Sequence, residues 1–182
     1  GGEMRSFTLG VLGLAVPLAM IALSIAVSPW FSVVDDALSD LGHAAESRAA
    51  PLFNLGLSTG GVLMFAAAVV MGAARVYRVL VGAAGYFLVL IGVFDETYGR
   101  LHFYVSVAFF ASVILLLAIY GAREKRPAYP ALAAAAVAAW YMHFALNTPP
   151  GAAIPELVSI AVAIPPYVSL IRERGEAGSV GR

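Results

Sequence analysis

Three histidines, His43, His102 and His143, stand near runs of carboxylates in a chain that has no cysteine. Imidazole nitrogens and carboxylate oxygens are what Zn²⁺ takes in hydrolytic sites, with one position left open for water. The three imidazoles are therefore read as metal ligands, and zinc is the metal such a donor set would hold. Ser39 and Asp40 lie just before His43, and Asp95 and Glu96 shortly before His102. Asp40 or Glu96 could serve as base beside a metal-bound water, and Ser39 adds a hydroxyl, so these three form the expected catalytic set. Tyr98 and His102 are four residues apart, as are His143 and Asn147, with Trp140 one turn before His143. Such pairs share a helix face, which makes Tyr98 and Asn147 lining residues together with Glu46 and Asp95. The chemistry would be hydrolysis of a lipid headgroup, ester or amide. A tight H-x-x-x-H pair, a G-x-S-x-G elbow and a phosphate-cradling glycine loop are all missing.

The elements that must position these residues are membrane helices. Of 182 residues, 61% are hydrophobic and 12% charged, and the mean hydropathy is +0.87. A soluble domain carries about 25% charged residues, so there is too little polar surface here to coat a water-soluble globule. Apolar runs predict one all-α domain over 1–182, with transmembrane helices at about 7–29, 51–74, 76–94, 101–121, 129–147 and 152–171. Most approach the roughly 20 residues that cross a bilayer core. The first run is too long for a signal-peptide core and is read as a retained helix. Gly1–Glu3 reads as a remnant ahead of a native start at Met4.

Charge sorts the connections. Arg5, Arg75 with Arg78, Arg123 with Lys125 and Arg126, and Arg172 with Arg174 fall on every second connection; the opposite side has only Arg48 and Arg100. The positive-inside rule then puts both termini in the cytoplasm and the chain in the cell membrane. All three histidines and the carboxylates Asp35, Asp36, Asp40, Glu46, Asp95, Glu96 and Glu156 fall on the outer side. Ionisable groups near membrane depth are costly and normally face a bundle interior. The same histidines could instead hydrogen-bond between helices as polar glue.

Within the long first outer connection, Val33, Val34, Ala37, Leu38 and Leu41 recur near helical spacing, with Asp35, Asp36, Ser39 and Asp40 between them. That pattern predicts a short amphipathic helix at the outer interface. Ser47 and Thr97 are expected caps of the second and fourth helices. Glu156 suits the dipole at the start of the sixth. Gly56, Gly60, Gly61, Gly82 and Gly85 are packing residues, and Pro165-Pro166 should kink the last helix.

Ser39-Asp40-Leu41-Gly42, followed by Glu46 and Phe53-Asn54, resembles the domain-of-unknown-function 998 family, as does Phe94-Asp95-Glu96 with His102 after it. That family often has Phe-Pro-Glu where this chain has Phe94-Asp95-Glu96. The same signatures are similar to those of the Frag/DRAM/Sfk membrane proteins, which share a six-helix plan and include a branch linked to lipid remodelling of GPI anchors. The resemblance implies roles for Ser39, Asp40, Glu46, Glu96 and His102, and by analogy a lipid substrate. The Ser, Asp and His set also resembles that of the alkaline-ceramidase-like hydrolases, which have seven helices.

Two other classes stay open. The acidic rim could collect a cation or amine and relay protons, as in a binding or transport protein. The polar cluster could also serve assembly or regulation without catalysis. A haem held by His102 and His143 is a further variant. Membrane lipids are the expected partners, a formal net charge of +0 gives no general attraction to nucleic acid, and a homo-oligomer remains open.

Overall fold

The computed structural model of the protein describes residues 2–172; Arg174, counted above in the basic tail, lies outside them. Six helices follow in order: α1 (Gly2–Ala26), α2 (Ala50–Val70), α3 (Arg75–Val93), α4 (Arg100–Arg123), α5 (Ala128–Leu146) and α6 (Ala153–Arg172). All six are long and apolar enough to cross a membrane, and no strand occurs among the described residues. Their bounds shift from the expected ones by up to five residues, most at the start of α1 and the end of α2. Local chemistry explains several ends. Pro51 opens α2, where a missing N–H costs nothing. Asn147 closes α5 in the left-handed region at φ 50°, a conformation asparagine tolerates well.

Consecutive helices pack in turn from α1 to α4, α4 also packs on α5 and α6, and α6 closes back against α5 and α1. One core cluster, at the acidic end and the middle, gathers Leu41, Phe53, Leu88, Phe109 and Phe110. A second, towards the basic end, is built on Tyr77, Tyr120 and Tyr167. Its hydroxyls are used: Tyr167 donates to the Gly10 carbonyl at 2.9 Å, and Tyr77 to Glu124 Oε1 at 2.7 Å.

The connection between α1 and α2 differs from its expected form. Only Leu38–Gly42 is helical, as a single 3₁₀ turn, and residues 33–36 form a turn ahead of it. The segment packs against the bundle. Leu41 is fully buried and Leu38 nearly so, while Val33 and Val34 stay exposed. Backbone bonds explain the docking: Gly151 N–H donates to Val34 O at 2.9 Å, and Ala153 N–H to Asp36 O at 3.0 Å. A side chain on Gly151 would run into the backbone of Asp35 and Asp36, so the loop and the α5–α6 turn meet main chain to main chain. Asn54 adds a bond from Nδ2 to the Gly42 carbonyl at 2.8 Å.

The expected caps also differ. Neither Ala49 before α2 nor Gly99 before α4 makes a side-chain cap. Ser47 instead accepts from Ala49 N–H at 3.2 Å, one turn short of the helix. Thr97 sits inside a second 3₁₀ turn, Glu96–Tyr98, whose capping side chain is Asp95.

Candidate functional site

The folded connection brings Ser39 and His43 to the mouth of a cavity of about 660 Å³ at the acidic end of the bundle. Glu96 reaches it from the α3–α4 turn, His102 and Ser106 from α4, His143 from α5 and Glu156 from α6. Ser39 Oγ donates to Glu96 Oε1 at 2.9 Å, joining two loops 57 residues apart in the chain. The Asp40 carboxyl lies within hydrogen-bonding reach of Glu96, and Asp40 also accepts from Ala37 N–H at 2.7 Å. Burial pushes the Glu96 carboxyl up to about 7. The hydrogen bond and charge of Asp40 push the same way, the exposed Glu46 adds a little, and the Ser39 hydroxyl opposes them. A carboxyl so placed changes protonation near neutral pH.

Glu156 anchors the other side. It is buried, and its Oε2 accepts from the Leu38 N–H at 2.6 Å across 118 residues of sequence. It therefore ties α6 to the 3₁₀ turn that carries Ser39, rather than merely facing its own helix dipole.

The histidines are oriented by carbonyls. His102 Nδ1 bonds the Phe94 carbonyl at 2.8 Å, and His143 Nδ1 bonds that of Pro149 at 3.0 Å. A carbonyl can only accept, so each Nδ1 carries the proton and, in the neutral ring, Nε2 keeps a lone pair. Ser106 Oγ sits 3.4 Å from His102 Nε2. His43 Nδ1 is buried without a hydrogen-bond partner, on a side chain that lines the cavity. Carbonyl-oriented imidazoles suit metal ligation. Among the described residues, however, no three His, Asp or Glu side chains gather in a group that could hold a metal ion. The three histidines share a cavity wall without meeting as a ligand set.

Other expected lining residues have different places. Asp95 is buried as a loop staple: its Oδ1 accepts from Thr97 N–H at 2.8 Å, and it also bonds the Ala44 N–H. Burial would raise its carboxyl, but the Thr97 and Ala44 bonds and the His43 charge together hold it below the usual carboxylate range. Tyr98 precedes α4 instead of extending it; it is exposed and lies edge-on to Phe94 with ring centres 5.3 Å apart. Asn147 is an exposed helix terminator. Neither Tyr98 nor Asn147 lines the cavity.

Below the polar cluster the cavity continues as an apolar furrow. Phe103, Val107, Ala111 and Ile114 of α4 face Val137 and Phe144 of α5 along it. From residue 103 to 114 the helical rise spans about 16 Å. All of these except Ile114 are exposed, so the furrow opens outward. Trp140 closes its inner wall, stacked on Phe144 and held by an Nε1 bond to Ser159 Oγ at 3.0 Å. Glu156, Ser106 and this furrow were missed by the sequence reading. The His102-x-x-x-Ser106 spacing, and a lone carboxylate in an apolar run, were the available signals.

A polar pocket at one end of six membrane-length helices, opening sideways into an apolar furrow, defines a multi-pass membrane protein with a buried acidic site. Residues 11–171 match the model of DUF998, a family described as protein of unknown function, and the chain belongs to that family. No curated protein and no solved structure matches it.

Proposed function

We propose that the protein binds a membrane amphiphile in this cavity and hydrolyses an ester or amide at its headgroup, with Ser39 as nucleophile and Glu96 as its base. The observation that carries the reading is the Ser39–Glu96 hydrogen bond, set where the polar pocket meets a lipid-open apolar furrow. A nucleophile within hydrogen-bond reach of a base that a third group orients is the usual arrangement for covalent catalysis. Ser39 supplies the bond to Glu96, and Asp40, which accepts from the protonated Glu96 carboxyl, raises that carboxyl's affinity for the proton it takes up. Ionised Glu96 takes the Ser39 proton as Oγ bonds to the carbonyl carbon. The leaving alcohol or amine takes that proton back as its bond to the acyl group breaks. Water, deprotonated by Glu96, then releases the acid and restores Ser39. Ester or amide plus water gives acid plus alcohol or amine, and no redox partner is needed. The acyl chain lies in the α4–α5 furrow. The acidic end faces outward and the basic end the cytoplasm, in keeping with the distribution of arginine and lysine.

A second reading rests on one further feature. An interior cavity of about 90 Å³ shares Ser39, Ser106, Phe110 and Glu156 with the site and leads into the bundle. In a binding or carrier protein that space would admit part of the ligand without chemistry. Reaction with a fluorophosphonate probe separates the two. Hydrolysis requires Ser39 to be labelled, labelling to vanish in Ser39→Ala and to slow in Glu96→Gln, and a fluorogenic phospholipid to be cleaved in vesicles. Labelling at Ser106 would move the nucleophile to the His102 pair. Lipid that binds with neither labelling nor turnover would leave the carrier reading.

A further inference from the structure

At the opposite, basic end a second recess lies between α2 and α3, with a volume of about 550 Å³. Arg75 and Arg78 stand at its mouth; Phe65 and Val69 of α2 and Val79 of α3 form apolar walls; Gly82 lies at its floor. The walls are exposed. A methyl added at Gly82 would meet ordinary van der Waals contacts, 3.6 Å from Ala68 and 3.8 Å from Phe65, so the floor is packed without being overfull and only a larger side chain would intrude on the recess.

The two arginines differ in what they do for the fold. Arg78 closes the end of α2: Nε donates to the Ala68 carbonyl at 3.3 Å and Nη2 to that of Val69 at 3.1 Å. Those bonds use part of the guanidinium and hold its plane over the recess. Arg75, in the first turn of α3, has no hydrogen-bond or ion-pair partner among the described residues. No carboxylate lines the recess. Arginines that only set topology need no cleft beside them. Here two cations, one fixed and one free, stand at the head of a groove whose walls are apolar for the next turns of both helices.

We propose that this recess is a binding site for an anionic phospholipid, whose phosphate sits between Arg75 and Arg78 and whose acyl chain lies in the α2–α3 groove past Gly82. Guanidinium groups match phosphate oxygens in geometry as well as charge. Basic pockets between membrane helices commonly take such headgroups. The apolar walls commit the site to a lipid over a soluble phosphate, since free phosphate would leave them unfilled. The site is separate from the acidic cavity and does not depend on its chemistry.

The test is native mass spectrometry of the full chain released from detergent with phosphatidylglycerol or phosphatidylcholine. Wild type should retain one phosphatidylglycerol in preference to phosphatidylcholine. Arg75→Gln should weaken that preference about fivefold, the usual effect of one surface cation on an anionic lipid. Arg75 makes no contact the fold needs, so this variant stands even where Arg78→Gln fails to fold. Gly82→Leu keeps both charges but fills the floor, and should lower retention of either lipid. Arg123→Gln, at the same end on another helix, should leave retention unchanged. An equal loss in Arg123→Gln would reduce the effect to net charge and overturn the site. Undiminished preference in Arg75→Gln, or full displacement by inorganic phosphate, would overturn it as well.

Discussion

The α1–α2–α3 side of the bundle and the α4–α5 side are built on opposite principles. On the first, backbones touch. A Cβ on Gly61 would lie 2.6 Å from the Gly85 carbonyl oxygen, one on Gly85 would lie 2.7 Å from Phe65 N, and one on Gly60 would lie 2.5 Å from Pro17 Cδ. On the second, close glycine contact comes from Gly121 against Pro130 at the basic end, while nearer the acidic end aromatic pairs, Phe103 with Phe144 and Phe110 with Trp140, fill the space between the helices, and only Ala133 and Ala136 of α5 are buried. Lipid is as apolar as a helix surface, so helix association relies on close packing rather than on the hydrophobic effect. The glycine-knit half therefore supplies the rigid frame, carrying the first loop and Ser39. The loosely packed half leaves a furrow that a ligand chain can fill.

The largest test of that contrast is a matched pair of leucines. Gly61→Leu or Gly85→Leu must push α2 and α3 apart against main chain, so we expect loss of folding or a cost of about 3 kcal/mol or more. Ala111→Leu, in the exposed furrow, should change thermal stability by roughly 0.5 kcal/mol or less while blocking amphiphile binding. Equal tolerance at both places, measured by melting in detergent, would erase the distinction between frame and furrow.

Next in size is Glu96. Glu96→Gln should lower turnover of a lipid ester about 10²- to 10⁴-fold, the usual contribution of a positioned base. In wild type the rate should rise with pH through about 7, where the carboxyl held up by burial and by Asp40 ionises. Stability should run the other way. A carboxyl raised from 4.5 to about 7 contributes fully below pH 4.5, and that contribution is lost as pH rises through 7. Allowing for solvent screening at this half-buried group, the loss is roughly 1 kcal/mol. Glu96→Gln should flatten the melting temperature over that window; a slope kept in the variant would assign it to another group.

Glu156 separates frame from chemistry more finely. Glu156→Gln retains an acceptor for the Leu38 N–H and should cost little, whereas Glu156→Ala strands that buried donor, for about 1–3 kcal/mol. Faster proteolysis of the 31–49 connection in the alanine variant alone would report that the loop has lifted.

The two smallest effects are expected near zero. Turnover should survive chelators, because the histidines do not meet as a three-ligand group. Stoichiometric zinc lost in both His102→Ala and His143→Ala would bring a metal back into this end. Val34→Ser should shift stability by less than about 0.5 kcal/mol, since Val34 is exposed and its bond to Gly151 is made by the backbone carbonyl, which serine keeps.

How far the site could be read in advance depended on where each residue lay. Ser39 and Glu96 were singled out as neighbours of histidines and through the family signature, and their side chains bond each other. Tyr98 was placed by extending α4 one turn too far; the positive φ of Gly99, 53°, breaks the helix between it and His102. Asn147 was paired with His143 on the same assumption, and its left-handed backbone turns it away. Glu156 looked like an ordinary first-turn carboxylate because its partner is a backbone N–H far away in sequence.

By itself the sequence determined six apolar spans, their boundaries to within a few residues, the family, and the segregation of acidic from basic connections. The family was carried by short signatures such as Ser39-Asp40-Leu41-Gly42; the spans and the charge segregation depend on hydropathy, length and charge summed over local windows, which no tertiary contact is needed to evaluate. Only the tertiary structure decided that the first connection packs against the bundle, that Asp95 staples loops while Glu96 faces the cavity, and that a furrow opens between α4 and α5. The physical reason is that one turn of a 3₁₀ helix, or one left-handed residue, reverses which way a side chain points. Such choices are made by main-chain bonds between segments, such as Gly151 to Val34, that no local pattern records.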